Sequence, residues 1–550
     1  MRSNSLNLAV LFLTCFVVIG LPFILVGFPD GSDEITHLRF AVAYRDAVET
    51  GRVLPGWMMD NGGLGGVGVR FYPPLASITT VAFELLTGSW YSAFCINIFV
   101  WMYIGCVGVY LLVRLWAPPQ LALYAGLLFA VVPHHLNQIY QYLLYAEFIG
   151  LSILPFCFYF LTRLLREPNF RDSLLLSVSC SLLILSHIPL SIIGSISLAV
   201  YAVPLIERAK IAVVAERLLF AVALTVASTA FFWVRVLSEL DWVAHAKPEF
   251  TSGHYSYANW LFPTVYGDHE QFILVLSARL FDGAIVLSAL FLLPAVVYLI
   301  ASKTRAWHRD RGLAAMTLAG IFSFFMISRA SEFVWRLVPV LQQIQFPWRW
   351  LSPLSVLGVS SFALAIYAFV RDGGKLVRPV VYAGILIVLA SLIYDWTQTI
   401  VWAGGQTRSE FQHRIDNLME PPFAEYWRPV WAKEAALLNR SQVSIDGRDP
   451  DIETWETETR KFTISEGKAG QARIGTYYYP HWRAEVNNIP TTVEINKEGV
   501  MIVAIPAERS EVTLHFDEPA RNVMALFVSV SSWFVTLFLL FWSMRRRANP

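Results

Sequence analysis

The sequence predicts an α-helical, polytopic membrane protein of about twelve transmembrane helices with a small β-rich domain near the C-terminus. Three observations predict this class. Hydrophobic residues fill 56% of the 550 positions and charged residues only 15%, against about 25% charged in ordinary soluble domains. Apolar runs close to the ~20 residues that cross a bilayer recur along the chain. Between them, Lys and Arg collect in alternate turns.

A soluble chain of this length cannot hide so much apolar surface in domain cores, so the bilayer is its expected solvent. The formal net charge of +1 gives no basic surface for nucleic acid. Five cysteines, Cys15, Cys95, Cys106, Cys157 and Cys180, all lie in apolar runs. None has a metal-ligand spacing, and they read as small core residues. The first apolar run, Leu6 to Phe28, is too long for a signal-peptide core and no small-residue cleavage site follows, so a retained helix is expected.

The candidate spans are 7–28, 90–114, 119–134, 144–165, 172–187, 189–206, 215–237, 277–301, 313–328, 348–369, 379–401 and 523–544. The apolar stretch 74–88 is shorter and reads as an interfacial helix. With Arg2 placed in the cytoplasm, the inner turns hold Arg114; Arg163, Arg166 and Arg171; Arg208, Lys210 and Arg217; Lys303, Arg305, Arg309 and Arg311; Arg371, Lys375 and Arg378; and Arg545 to Arg547. That distribution satisfies the positive-inside rule. It puts both termini in the cytoplasm and leaves 29–89, 238–276 and 402–522 outside.

The expected organisation is a transmembrane domain over 1–401 with its first outer loop at 29–89, an outer domain over 402–522, and an anchor with a basic tail over 523–550. The segment 238–276 is aromatic and polar, with Trp242, His245, His254, Tyr255, Tyr257, Trp260 and Tyr266. The second half of 402–522 alternates as strands do, at Thr476–Tyr479, Ala484–Val486, Thr492–Ile495, Met501–Ile505 and Val512–Phe516. Turn residues separate these runs, which predicts a small antiparallel domain. No internal repeat supports an inverted-repeat transporter.

The first outer loop carries most of the chemistry. Asp30, Asp33, Glu34 and His37 directly follow a span, and a helical pattern begins at Ile35. Ile35, Leu38, Val42 and Val48 alternate there with Arg39, Arg45, Asp46 and Glu49. Acids at a helix start are favoured by the dipole, and His37 falls one turn after Asp33. A carboxylate so placed can serve as a general base with His37 to orient or tune it. The same residues read equally as a helix cap with solvated interfacial charge. The glycines of Asn61-Gly62-Gly63-Leu64-Gly65-Gly66 permit positive φ and close approach, which suits a loop that wraps a substrate. No phosphate-loop lysine follows.

Glu147, His187 and Arg349 stand at the expected outer ends of spans. Each alone reads as an interface residue, since charge at membrane depth is costly. Together, on the side of Asp33, they suggest a site, and Arg349 with His187 can bind phosphate.

Four separated motifs occur in order: Asp33-x-x-x-His37 through Phe71-Tyr72-Pro73-Pro74-Leu75, Glu147, Ser186-His187, and Phe346-Pro347-Trp348-Arg349. Over Ser32 to about Trp350 this pattern resembles a large bacterial and archaeal family of multi-spanning membrane proteins, called pyruvoyl-tetrahydropterin-synthase-related, a label with no pterin chemistry behind it. Tyr477-Tyr478-Tyr479-Pro480-His481-Trp482 also resembles the start of outer domains in related membrane glycosyltransferase-like proteins. The family is similar to GT-C glycosyltransferases, which implies a GT-C-like fold and transfer of a sugar from a polyprenyl-phosphate donor to a glycan, lipid or protein acceptor. It implies Asp33 as catalytic base, His37 and Glu147 shaping an acceptor or metal site, and Arg349 and His187 holding the donor phosphate. Glu34 and Tyr72 join them as substrate-binding candidates. A divalent cation, magnesium or manganese, is the cofactor the resemblance leaves open, with Asp30, Asp33 and Glu147 as candidate ligands. Gly31 stands where a D-x-D triplet ending at Asp33 would have its first acid. The rival expectations are a lipid-glycan transporter and a non-catalytic scaffold in envelope polysaccharide assembly.

Overall fold

A computed structural model of the chain describes residues 2–247, 251–264, 272–302, 307–372, 377–418 and 427–548. Tyr266, Lys303, Arg305 and Lys375 lie outside the described residues. The molecule is mostly helical. Among the described residues nine helices are long and apolar enough to cross a membrane: Asn4–Leu25, Trp90–Arg114, Tyr145–Arg166, Ile188–Leu205, Arg208–Ser228, Arg279–Ala301, Pro347–Asp372, Gly384–Val401 and Ala520–Ser543.

The remaining expected spans are shorter. Pro119–Ala130 has 12 residues, because Pro133 opens a new helix, Pro133–Tyr140. Phe170–Ser186 and Arg311–Ile327 have 17 residues each. At about 1.5 Å per residue these two reach ~26 Å, short of a ~30 Å hydrocarbon core. Nine helices, not twelve, therefore meet the length criterion among the described residues. Leu75–Thr87, with 13 residues, is too short to cross.

The expected span 215–237 breaks at Thr229 into Ile211–Ser228 and Ala230–Glu239. A break frees backbone groups that lipid cannot satisfy. The C-terminal helix supplies the partners: Ser529 Oγ accepts from Phe231 N at 2.9 Å and donates to Ala227 O at 3.0 Å, and Trp533 Nε1 donates to Ser228 O at 3.1 Å.

The basic turns meet at one end of the bundle. Arg166 donates to Leu115 O, Lys210 to Arg166 O, and Arg311 to Pro204 O and Glu207. Arg371 pairs with Asp310 at 2.9 Å, and Arg309 with Asp372. The acidic first loop and the β domain occupy the other end.

The β domain has nine strands: β1 Val443–Ser444, β2 Pro450–Trp455, β3 Thr459–Ile464, β4 Gly470–Tyr477, β5 Trp482–Val486, β6 Ile489–Thr491, β7 Glu494–Ile495, β8 Val500–Ile505 and β9 Ser510–Phe516. They form two antiparallel sheets, ordered β1-β4-β8-β7 and β2-β3-β9-β5-β6. Phe462, Ile464, Ile474, Val503, Val512 and Leu514 fill the space between them. Strand structure thus begins well before the runs that alternate visibly in sequence.

The first outer loop is part of this same core. Trp57, Leu64, Val67 and Phe71 pack into it, Glu458 accepts from Gly56 N and Trp57 N, and Tyr477 N donates to Leu64 O at 2.8 Å. Gly65 (φ +84°) lies so close that an added Cβ would be 2.1 Å from the Trp57 indole. The glycine-rich turn therefore wraps Trp57 and docks on the β domain.

A buried ion cluster locks the joint. Arg70, fully buried, grips Glu239 at 2.7 and 2.8 Å and also pairs with Glu518. Arg235 reaches Glu518 at 3.0 Å, and Tyr479, His481 and Asn522 complete the shell around Glu239. Arg70 stays protonated: burial opposes its charge, but Glu518 and Glu239 outweigh that. First loop, β domain and last helix are thereby fixed together, and Tyr72, two residues after Arg70, is fixed with them.

Candidate functional site

The helix Glu34–Glu49 starts at Asp33, whose backbone N–H donates to Tyr142 O at 3.1 Å while its side chain makes no capping bond. Gly31 lies against Tyr142 and Leu143, and a Cβ there would be 2.4 Å from Leu143 Cβ and 2.7 Å from its backbone nitrogen. That close approach explains why this position holds no acid.

The three acids divide sharply. Arg414, on the outer helix Arg408–Asp416, holds Asp30 through both guanidinium nitrogens at 2.9 Å and Glu34 at 2.9 Å. Gln406 adds a 2.7 Å bond to Glu34, which is fully buried. Burial pushes the Glu34 carboxyl up to about 7 against the pull of Gln406 and Arg414. Asp33 is half-buried and, among the described residues, joins no ion pair. Burial pushes its carboxyl up to about 6; Arg349 opposes the shift and Glu147 adds to it.

Glu147, in the first turn of Tyr145–Arg166, is 2% exposed. Its Oε1 accepts from Gln138 Nε2 at 3.2 Å and Ser352 Oγ at 3.1 Å, with His134 Nε2 at 3.5 Å. Its Oε2 lies 3.5 Å from Arg349 Nε. Arg349 sits on the turn Pro347–Trp350, lies over the Phe346 ring and donates from Nη1 to Ile344 O at 2.6 Å. His187 caps the helix Ile188–Ala202, and its Nδ1 accepts from Leu190 N at 3.3 Å. An accepting Nδ1 leaves the proton on Nε2, so the free edge of the ring is a donor.

His37 packs edge-on against Tyr72 and Tyr145, with centroids at 5.7 and 5.4 Å. Burial, and His187 nearby, hold it neutral with a pKa near 3. Among the described residues no hydrogen bond joins its ring to the Asp33 carboxyl, and the groups that tune Asp33 are Arg349, Glu147 and Ser32 rather than His37. Tyr72 lies within electrostatic range of Asp33, Arg349 and Glu147. His245 stacks on Trp427 at 4.8 Å and is within range of Arg349.

The structure thus brings Asp33, His37, Tyr72, Glu147, His187 and Arg349 to one place and turns Asp30 and Glu34 toward Arg414. Sequence reasoning missed His134 and Gln138 beneath Glu147, although two polar residues one helical turn apart in an apolar stretch were a readable signal. Arg414 and Gln406 carried no signal; only the fold brings them across. Asp30 is committed to Arg414, an arginine stands beside Glu147, and among the described residues no three His, Cys, Asp or Glu side chains converge as metal ligands.

The model of the 6-pyruvoyl-tetrahydropterin synthase related domain, a membrane protein family, matches residues 69–400. The chain belongs to this family. The match begins after the three acids of the first loop and ends before the β domain. No curated protein matches the chain in sequence. Solved structures similar to it include the Archaeoglobus fulgidus oligosaccharyltransferase tethered with an acceptor peptide, at 15% identity and a TM-score of 0.47, covering 78% of this chain and 60% of that one. They also include ArnT from Cupriavidus metallidurans bound to undecaprenyl phosphate, at 12% identity and 0.29, covering 66% and 77%. A third is the arabinosyltransferase EmbB from Mycobacterium smegmatis, at 10% identity and 0.35, covering 92% and 63%. The family member described here spans about 60% of the length of the oligosaccharyltransferase.

Proposed function

We propose that the chain is a membrane glycosyltransferase that moves a sugar from a polyprenyl-phosphate-linked donor to a glycan, lipid or protein acceptor. The site and β domain face the outside of the plasma membrane, and both termini are cytoplasmic. The observation that carries this reading is the sorting of the acids: Arg414 takes Asp30 and Glu34, while Asp33, among the described residues, joins no ion pair and lies within electrostatic range of Arg349.

In this reading Asp33 accepts the proton of an acceptor hydroxyl as the oxygen attacks the anomeric carbon. The bond from that carbon to the phosphate oxygen breaks, and polyprenyl phosphate leaves with the electron pair. One displacement inverts the anomeric centre. A carboxyl near 6 is a stronger base than a surface Asp and still ionised at pH 7, which suits general base catalysis. Arg349 and the Nε2–H of His187 meet the developing phosphate charge. Glu147, held by Gln138 and Ser352, keeps Arg349 in place. No step is routed through a cation.

The direct experiment reconstitutes the full chain in proteoliposomes with a polyprenyl-phosphate-linked labelled sugar and an envelope acceptor fraction. Release of polyprenyl phosphate in step with acceptor labelling supports the reading; tight carrier binding without release overturns it.

A further inference from the structure

A groove of about 720 Å³, which Asp33 does not line, opens between the helices Asn4–Leu25 and Trp90–Arg114. Phe12, Phe16, Phe23, Ile96 and Phe99 make its walls apolar. Phe16 and Gly20 of its wall are the two ends of a π-helical turn, and a Cβ on Gly20 would lie 2.7 Å from the Phe16 ring. Such turns are rare and concentrate at functional positions.

The end nearest the β domain is chemically different. Arg408 lines it, exposed, with its guanidinium 5.5 Å from the Tyr91 ring centroid. Among the described residues Arg408 joins no ion pair. Gln406 lines the same end and also lines a polar pocket of about 650 Å³ with Asp30, Glu410, His413 and Arg414. An apolar trough, an unpaired cation at its mouth and a pocket of hydrogen-bonding groups beyond it match the parts of one molecule. They are a hydrocarbon chain, a phosphate and a hydroxylated head.

We infer that this groove binds an anionic glycerophospholipid with a hydroxylated headgroup, from the leaflet on the β-domain side. Charge complementarity selects the phosphate for Arg408, and Asp30 and Glu410 favour a head that donates hydroxyls over one carrying a second anion. A bilayer lipid fits better than the donor carrier, because neither Asp33 nor Arg349 lines the groove or the polar pocket beyond it. Phe28, fully buried, packs behind Tyr91 of the groove wall, with its ring 6.2 Å from Tyr91, 5.1 Å from Phe411 and 6.0 Å from Phe94. The groove is also tied to the site. Phe28 and Gln406 exchange backbone hydrogen bonds at 3.1 and 2.7 Å, and Gln406 holds Glu34, the neighbour of Asp33. A bound lipid therefore braces the start of the helix that presents Asp33.

The inference is independent of the transfer reaction and is tested by binding. The purified, delipidated full chain is titrated with phosphatidylglycerol, phosphatidylcholine and a polyprenyl phosphate, with bound lipid read by native mass spectrometry. Phosphatidylglycerol should bind more tightly than phosphatidylcholine, and Arg408→Ala should weaken it about tenfold or more, the loss of one charge-assisted contact. Arg408→Lys should recover part of the affinity. Arg408 is exposed, so each variant should fold. Equal binding by wild type and Arg408→Ala, or equal affinity for the two glycerophospholipids, overturns the inference. So does Arg408-dependent binding of polyprenyl phosphate tighter than phosphatidylglycerol, which would assign the groove to the carrier.

Discussion

Arg414 donates to Glu34 at 2.9 Å, so a residue nearly four hundred positions away in the chain neutralises the acid next to Asp33. The same guanidinium holds Asp30. Three acids that look alike in sequence become two structural anchors and one carboxyl that, among the described residues, joins no ion pair.

Arg349→Ala should weaken binding of a polyprenyl-phosphate carrier by about 1.5–3 kcal/mol, roughly ten- to a hundredfold, while expression is retained. Arg349→Lys should restore only part, because an ammonium cannot reproduce the guanidinium fork. Equilibrium binding in detergent checks this. Unchanged affinity would make Arg349 a purely structural partner of Glu147.

Glu239→Gln should be among the most destabilising single changes in the outer half of the molecule. It strips a buried carboxylate from Arg70, Tyr479, His481 and Asn522. Removing one partner of a buried pair costs about 3–5 kcal/mol. Glu453→Gln, which removes an exposed surface pair with Lys461, should leave the melting temperature nearly unchanged. Thermal unfolding of both variants beside wild type decides it.

How much of this was legible follows the range of the interactions. The long spans were readable because twenty apolar residues in a row have one explanation. The lengths of the helices 119–130 and 170–186 were less legible, since hydropathy does not register a Pro break or a run of buried serines. Strand β3 was missed because it turns Arg460 inward with Phe462 and Ile464, so the pattern of alternation is masked by a charge. The first-loop helix was misread in the same way. Ile35 and Val48 face outward, while Glu34 and Arg39 are buried because Arg414, Gln406 and Asp60 reach them from distant segments. Asp33, Glu147, His187 and Arg349 were legible as residues. Ser352, which donates to Glu147, and Arg414, which holds Asp30 and Glu34, were not, since nothing local announces a contact made across the fold.

Stability and activity should respond to Asp33 in opposite directions. Its carboxyl is raised from 3.8 to about 6 on folding, so the native state binds the proton more tightly than the unfolded chain. Its ionisation therefore opposes folding, a cost that grows as pH rises from about 4 to 6 and is constant above that. Asp33→Asn should accordingly be more stable than wild type at pH 7, on the order of 1–2 kcal/mol given its partial exposure. Below pH 4 the advantage should vanish. Denaturation at the two pH values checks the sign. Wild-type transfer should fall as pH drops through about 6, as the base is protonated.

Sidedness is open to labelling. Asn61 is buried and bonded to Gly65 O and Arg428, so it is a poor reporter, whereas Val53 is 72% exposed and Asn488 is also exposed. Val53→Cys and Asn488→Cys should react with an impermeant thiol reagent in intact cells. Glu167→Cys, at the basic end of the bundle, should react only after lysis. The reverse pattern would invert the topology.

The central claim is that Asp33 removes the acceptor proton, and the rate of sugar transfer by Asp33→Asn tests it most directly. The substitution keeps the size and much of the hydrogen bonding of the side chain but removes the basic oxygen. General base catalysis contributes roughly 10²–10⁴ in rate, so transfer by the folded variant should fall at least a hundredfold. Asp30→Asn and Glu34→Gln, both in Arg414's grip, should fall far less. Near-normal transfer by a folded Asp33→Asn protein would contradict the account.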